Sequence, residues 1–107
     1  MDQLTVTAHP SSDRYVVKVS GELDFYSVRT LREHFADFDW TRCPDVIVDL
    51  RGLEFIDAAG LHELIWIERL SRAAGRRASF IPGSPQTQKI FLIAGLLDRF
   101  EWVEEPE

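Results

Sequence analysis

The apolar residues of this sequence alternate between two spacings, one typical of strands and one typical of helices, and this alternation most constrains the fold. Residues 4–8 alternate with a period of two and predict an edge strand, and residues 15–19 predict a second strand that ends at Ser20 and Gly21. Residues 26–40 then carry apolar side chains at helical spacing, which predicts an amphipathic helix. A change of period of this kind is typical of helices packed on a sheet.

The alternation continues through the second half of the chain. The elements expected there are a buried central strand, a loop, a long helix, a strand, a helix and a short strand, at residues 46–50, 51–57, 58–74, 78–81, 84–94 and 99–103. Gly75 is suited to end the long helix, and Ser84 and Pro85 to start the next one. The order β-β-α-β-α-β-α-β predicts an α/β fold, with a mixed central sheet of about four to five strands and three or more helices mainly on one side. We expect residues 1–107 to form a single domain.

Charge and composition exclude several classes of partner. The formal net charge is −6. Because a protein that binds nucleic acid needs a basic face, we expect no nucleic-acid partner. No apolar run approaches the roughly 20 residues that span a bilayer, so we expect no direct membrane insertion. The N-terminal residues lack the apolar stretch of a secretory signal, which predicts a cytoplasmic protein. Cys43 is the only cysteine, so an internal disulfide is excluded and an inert loop thiol is expected.

Motifs for catalysis, metals and cofactors are incomplete. His62-Glu63 begins like a zinc-protease helix, but Trp66 stands where the second histidine ligand would be. His9 and His34 add no ligand-like spacing to His62. The glycine-rich loops that bind phosphate groups do not occur. We therefore predict no metal, no cofactor and no enzymatic activity.

Three segments occur together in a recognisable order. They are Ser20-Gly21-Glu22-Leu23-Asp24, then residues 46–50 with Leu53-Glu54-Phe55-Ile56-Asp57-Ala58-Ala59-Gly60-Leu61, and finally Ser84-Pro85 with Ile90-Phe91 and Gly95-Leu96. Over nearly the whole chain this arrangement closely resembles the STAS domains of anti-sigma factor antagonists. The resemblance implies the STAS fold and a protein-binding module. The partner that it implies is an anti-sigma factor, which in this family is usually also a serine-protein kinase of the GHKL type.

The sequence departs from that family at one decisive position. In the family the loop reads D-S-S-G-L or D-S-T-G-L, and the kinase phosphorylates the hydroxyl residue directly after the aspartate. Here Asp57 is followed by Ala58 and Ala59, so Ala58 is a degenerate phospho-acceptor position. An alanine resembles the unmodified state more than the phosphorylated state. Our hypothesis is a constitutively binding-competent member that this phosphorylation does not switch.

Candidate partner-binding residues surround this loop. By resemblance Asp24 lies beside it, although Asp24 and Asp57 could equally cap the helices that follow them. On the long helix, Trp66 and Arg69 are of types enriched at binding hot spots, if they face outward. Trp66 could instead fold against a neighbouring helix. The full set of candidates is Asp24, Asp57, Ala58, Ala59, Gly60, His62, Trp66 and Arg69.

A second function remains open for the same fold. The chain could be a structural STAS subunit of an ABC lipid transporter or of a stress-signalling scaffold, where no phosphorylation is needed. The two alanines favour this alternative, whereas Gly21-Glu22-Leu23-Asp24 suits either function. An exposed apolar helix face would also suit a homodimer as well as a contact with another protein.

Overall fold

A single five-stranded sheet organises the chain. The computed structural model describes residues 3–42 and 45–104. Within these residues the strands are β1 Leu4–Pro10, β2 Tyr15–Leu23, β3 Asp45–Ile56, β4 Arg77–Ile81 and β5 Glu101–Trp102. The helices are α1 Val28–Ala36, α2 Ala58–Ala73 and α3 Pro85–Ile93, with short 3-10 turns at Trp40–Arg42 and Leu97–Arg99. None of the helices in these ranges is long and apolar enough to cross a membrane.

The sheet is mixed, as predicted. Its strands lie in chain order from β1 to β5. β1 pairs with β2 in antiparallel orientation, and β2, β3, β4 and β5 pair in parallel. Parallel neighbours need a crossover connection, and α1, α2 and α3 provide the three crossovers. The predicted edge position of the first strand and central position of the third are both confirmed.

The core lies between one face of the sheet and the helices. Val19, Val48 and Phe80 are fully buried on that face of β2, β3 and β4. The buried helix residues belong to the same apolar cluster, and they include Leu31 and Phe35 of α1, Leu64 and Ile67 of α2, and Phe91 of α3. On the other face of β2, Lys18 and Ser20 are exposed. The expectation of helices mainly on one side is therefore confirmed.

Two strands are longer than the sequence predicted. The interpretation of residues 51–57 as a loop is wrong, because β3 continues to Ile56 and pairs with the end of β2. The prediction that the second strand ends at Ser20 and Gly21 is also wrong, since β2 continues to Leu23 through a register shift after Gly21. Gly21 has a φ of +100°, and a Cβ there would lie 2.3 Å from the Gln3 carbonyl oxygen. The glycine thus marks an irregularity within the strand and not its end.

Two other elements are shorter than predicted. The first helix is confined to Val28–Ala36, because a turn occupies residues 24–27 and the chain leaves the helix before Trp40. Trp40 packs on Phe35, with the ring centroids 5.8 Å apart, so aromatic packing continues the apolar pattern beyond the helix. The final strand contains two residues because Leu97–Arg99 forms a 3-10 turn. Cys43 lies outside the described residues.

Candidate functional site

The candidate site lies where β2 and β3 end. These strands are parallel, and Leu23 of β2 pairs with Ile56 of β3. The residues that follow them, Asp24 and Asp57, are therefore neighbours at one edge of the sheet. The carboxyl ends of parallel strands are a common place for binding sites in α/β folds. The fold thus brings together the two aspartates that the sequence singled out.

Asp57 joins the two loops of the site. Its Oδ1 accepts a hydrogen bond from the backbone N–H of Gly60 at 3.0 Å, which caps the N-terminus of α2. Its Oδ2 accepts a hydrogen bond from the backbone N–H of Phe25 at 3.2 Å. Its own N–H donates to the carbonyl oxygen of Leu23 at 3.3 Å. The capping role is therefore present, and the same carboxylate also holds the β2–α1 turn.

Asp24 organises the β2–α1 turn from within. Its Oδ1 accepts hydrogen bonds from the backbone N–H groups of Tyr26 and Ser27 at 2.9 and 3.1 Å. The side-chain amide of Gln3 donates to its Oδ2. Its carbonyl oxygen also accepts the N–H of Val28, the first residue of α1, at 2.9 Å. Asp24 thus stabilises the entry to α1, although Ser27 is the residue that immediately precedes the helix.

The three small residues after Asp57 have different surroundings. Ala58, the first residue of α2, is exposed, and Ala59 is half-buried. Gly60 is buried against the end of β2. A Cβ at Gly60 would lie 2.5 Å from the carbonyl oxygen of Leu23 and 2.8 Å from Cγ1 of Ile56. The glycine therefore permits α2 to start directly against the sheet, with Ala58 on the surface.

The outward face of α2 is less exposed to solvent than the sequence predicted. His62 and Arg69 are exposed, in agreement with the prediction. Trp66 is half-buried and packs against the core cluster. The guanidinium carbon of Arg32, from α1, lies 4.4 Å from the centroid of the Trp66 ring. The alternative, in which Trp66 folds against a neighbouring helix, describes its position better, and the prediction of a free outward Trp66 is wrong.

A charged pair connects α1 to α2 beside the site. Arg32 Nη2 donates to Glu63 Oε1 at 2.6 Å, and Arg32 Nε donates to both carboxylate oxygens at 3.1 and 3.2 Å. The Glu63 side chain is only 7% exposed, whereas that of Arg32 is 53% exposed. The hydrogen bonds that Arg32 donates to the Glu63 carboxylate raise the pKa of Arg32 above its ordinary value. The buried carboxylate is therefore satisfied, and its charge is neutralised locally.

Two exposed aromatic residues of the site were not among the sequence candidates. Phe25 is 71% exposed and Tyr26 is 85% exposed, next to Asp24. No local sequence signal identifies them, because their exposure follows from the turn at residues 24–27, which precedes α1. Among the described residues, no group of three or more histidine, cysteine, aspartate or glutamate side chains could hold a metal ion.

A comparison with protein families and a comparison with curated proteins both find relatives of this chain. A family model described as the STAS domain matches residues 4–106. An anti-sigma-B factor antagonist of Staphylococcus epidermidis is 28% identical over 95 residues, which cover 89% of this chain and 88% of that protein.

Solved structures share the same fold at lower identity. An anti-sigma factor antagonist from Mycobacterium paratuberculosis has a TM-score of 0.80 and 23% identity, covering 95% of this chain and 86% of that chain. The unphosphorylated form of the antagonist SpoIIAA has a TM-score of 0.73 and 21% identity, and the match covers 94% of this chain and 90% of that chain. Since the family model matches nearly all of the sequence, the chain belongs to the STAS domain family.

Proposed function

We propose that this chain is an anti-sigma factor antagonist whose binding surface is not switched by phosphorylation of its loop. Its partner is an anti-sigma factor, a serine-protein kinase of the GHKL type. The single observation that carries the proposal is the α2 N-terminus, where Asp57 caps the helix and Ala58 occupies the exposed first position. The loop framework is thus present without the hydroxyl that would accept a phosphoryl group.

The physical effect of the missing hydroxyl follows from the position of Ala58. A phosphoryl group there would add roughly −1.5 to −2 charges beside Asp57 in a protein interface. The alanine methyl group adds none, so the surface keeps the form that binds. Ser27, the nearby hydroxyl residue, is 5% exposed, and its Oγ donates to the carbonyl oxygen of Glu22 at 2.6 Å. It is therefore a poor substitute acceptor.

The proposed contact surface contains the sequence candidates, with their roles refined by position. Ala58, His62 and Arg69 are exposed and contact the partner directly. Asp24 and Asp57 hold the two loops in position. The half-buried residues Ala59 and Trp66, together with Gly60, support this surface from below. In this proposal the domain is a cytoplasmic binding protein with no catalytic role, and residues 1–107 act as one unit.

A binding assay with ATP tests the proposal. The purified chain would be titrated by calorimetry against the GHKL-type anti-sigma factors of its source organism, before and after addition of ATP and Mg²⁺. We expect the wild-type chain to bind and to remain bound after ATP addition. We expect Ala58→Ser to bind, to gain one phosphate by mass spectrometry and then to be released. Ala58→Asp should bind at least about tenfold more weakly, because its charge meets the same interface.

A matched control separates this effect from a general effect of added hydroxyls. Ala73→Ser adds a hydroxyl at the exposed end of the same helix and should neither gain phosphate nor change binding. Release of the wild-type chain by ATP would contradict the unswitched behaviour. Failure to bind any such anti-sigma factor, together with binding to transporter or scaffold subunits, would favour the structural alternative. That alternative rests on the same observation, the absence of a hydroxyl at Ala58 and Ala59.

A further inference from the structure

An exposed aromatic pair lies next to the loop. Phe25 and Tyr26 contact each other edge to face, with their ring centroids 5.5 Å apart. The exposed fraction of both side chains is far larger than that of the aromatic residues in the hydrophobic core. We propose that they anchor the partner protein: an apolar side chain of a partner segment packs against the pair, and a carboxylate of the same segment pairs with Arg29. This inference rests on the proposed function and identifies the surface that the partner contacts.

Two hydrogen bonds hold the backbone of the pair, whereas its side chains are exposed. The backbone N–H of Phe25 is bonded to Asp57, and that of Tyr26 to Asp24. Aromatic side chains have only two χ angles, so little conformational entropy is lost when they are buried in a complex. Tyrosine is enriched at binding hot spots, and phenylalanine is enriched at protein interfaces.

The surface beside the pair forms a groove with a distinct charge. The groove is lined by Phe25, Tyr26, Val28, Arg29, Arg32 and Glu63, and has a volume of about 550 Å³. Glu63 is neutralised by Arg32, as described above. The side chain of Arg29 is exposed and makes no hydrogen bond or ion pair with any residue of the described ranges. The groove therefore carries one uncompensated positive charge on a protein whose net charge is −6.

The positive charge of Arg29 and the apolar walls of the groove indicate which kind of partner segment would bind there. A segment of the partner protein with an aliphatic or aromatic side chain would pack between the aromatic pair and Val28. An aspartate or glutamate of the same segment would pair with Arg29, and the guanidinium geometry favours a two-point contact with a carboxylate. A nucleic acid is disfavoured because the remaining surface is acidic overall.

The groove is continuous with the loop that carries Ala58. Asp57 bonds to the backbone of Phe25 and also caps the helix that begins at Ala58. Glu63, in the wall of the groove, lies in the second turn of the same helix. One partner surface can therefore contact Ala58, the aromatic pair and Arg29 at the same time.

Substitutions in the groove test the inference with a purified GHKL-type anti-sigma factor as the probe. We expect Tyr26→Ala to weaken binding roughly 30-fold and Phe25→Ala roughly tenfold, as for central aromatic anchors. Arg29→Glu should weaken binding at low salt, and the loss should shrink as the salt concentration rises. Ile93→Ala is the matched control, since Ile93 is 75% exposed on α3, and it should leave the affinity within about twofold.

The outcomes separate the inference from the proposed function. If the wild-type chain binds and the Phe25 and Tyr26 variants bind equally well, the inference is overturned while the proposed function stands. If the wild-type chain binds no anti-sigma factor, both are overturned. Sedimentation of the free chain completes the test, because a wild-type dimer that becomes monomeric on Tyr26→Ala would assign the pair to self-association and overturn the inference. Circular dichroism confirms that each variant folds.

Discussion

Asp57 and Phe25 belong to different loops, yet the Asp57 carboxylate holds the backbone of Phe25: Oδ2 of Asp57 accepts a hydrogen bond from the Phe25 N–H at 3.2 Å. The second oxygen of the same carboxylate caps α2. One side chain therefore fixes both halves of the site, and the position of the aromatic pair depends on it.

Replacement of Asp57 should cost stability as well as binding. Asp57→Ala removes the helix cap and the bond to Phe25, so we expect the free energy of unfolding to fall by about 1–2 kcal/mol. Asp57→Asn keeps an oxygen acceptor for the Gly60 N–H and should lose less. Urea denaturation followed by circular dichroism measures both. Equal midpoints for wild type and Asp57→Ala would contradict this role.

Gly60 should tolerate no side chain, even the smallest. Gly60→Ala places a Cβ 2.5 Å from the carbonyl oxygen of Leu23, and that backbone atom cannot move without disturbing the end of β2. We expect a loss of about 1–3 kcal/mol in spite of the better helix propensity of alanine. Thermal unfolding would measure the change. A variant as stable as the wild type would show that the close approach of α2 to β2 is not required.

The pair formed by Arg32 and Glu63 should couple α1 to α2. Because the Glu63 side chain is only 7% exposed, removal of Arg32 leaves a poorly solvated carboxylate. A double-mutant cycle with Arg32→Ala and Glu63→Ala should give a coupling free energy of about 1–3 kcal/mol. The control is the more exposed pair of Arg77 and Glu101, for which the same cycle should give about 0–1 kcal/mol. Equal coupling in the two cycles would contradict the difference in burial.

Acidification should destabilise the domain through His34. This half-buried ring lies near Tyr15, with Nε2 3.4 Å from the hydroxyl oxygen, and packs edge to face on Phe35. Burial lowers the pKa of His34 from its ordinary value of 6.5. The unfolded chain therefore binds a proton more readily, so stability falls as the pH drops below about 6.5 and the loss levels off below the folded-state pKa.

Urea midpoints measured between about pH 7.5 and pH 5.5 test this dependence, because most carboxylates remain ionised in that range. Glutamine does not titrate, so the His34→Gln variant lacks this contribution and should show a flatter profile. A profile as steep as that of the wild type would assign the effect to other groups.

The fold could be predicted well from the sequence because its signals are local. The spacing around Leu31 and Phe35 indicated a helix, and residues 46–50 indicated the central strand. The ends of β2 and β3 could not be predicted in the same way. Residues 51–56 mix charged and apolar side chains, and their extension depends on parallel pairing with β2, a contact distant in sequence.

The site was predicted in part for a similar reason. Asp57 carries a local helix-start signal, and the structure contains that cap. Trp66 packs on the core and contacts Arg32, which lies on another helix and has no sequence signature for this contact. The exposure of Phe25 and Tyr26 follows from the turn that Asp24 and Asp57 hold in place. Asp57 is distant from this turn in sequence, so its contribution could not be read from the local pattern.

The parallel pairing of β2 with β3 also limits how the surface could be copied. A synthetic peptide that spans Asp24, Phe25 and Tyr26 would carry the aromatic side chains but would lack Asp57 and the sheet that aligns them. A peptide that begins at Asp57 would carry the helix start without the aromatic pair. An inhibitor that imitates this surface would therefore need a scaffold that presents two discontinuous segments, and linear mimicry should fail for either segment alone.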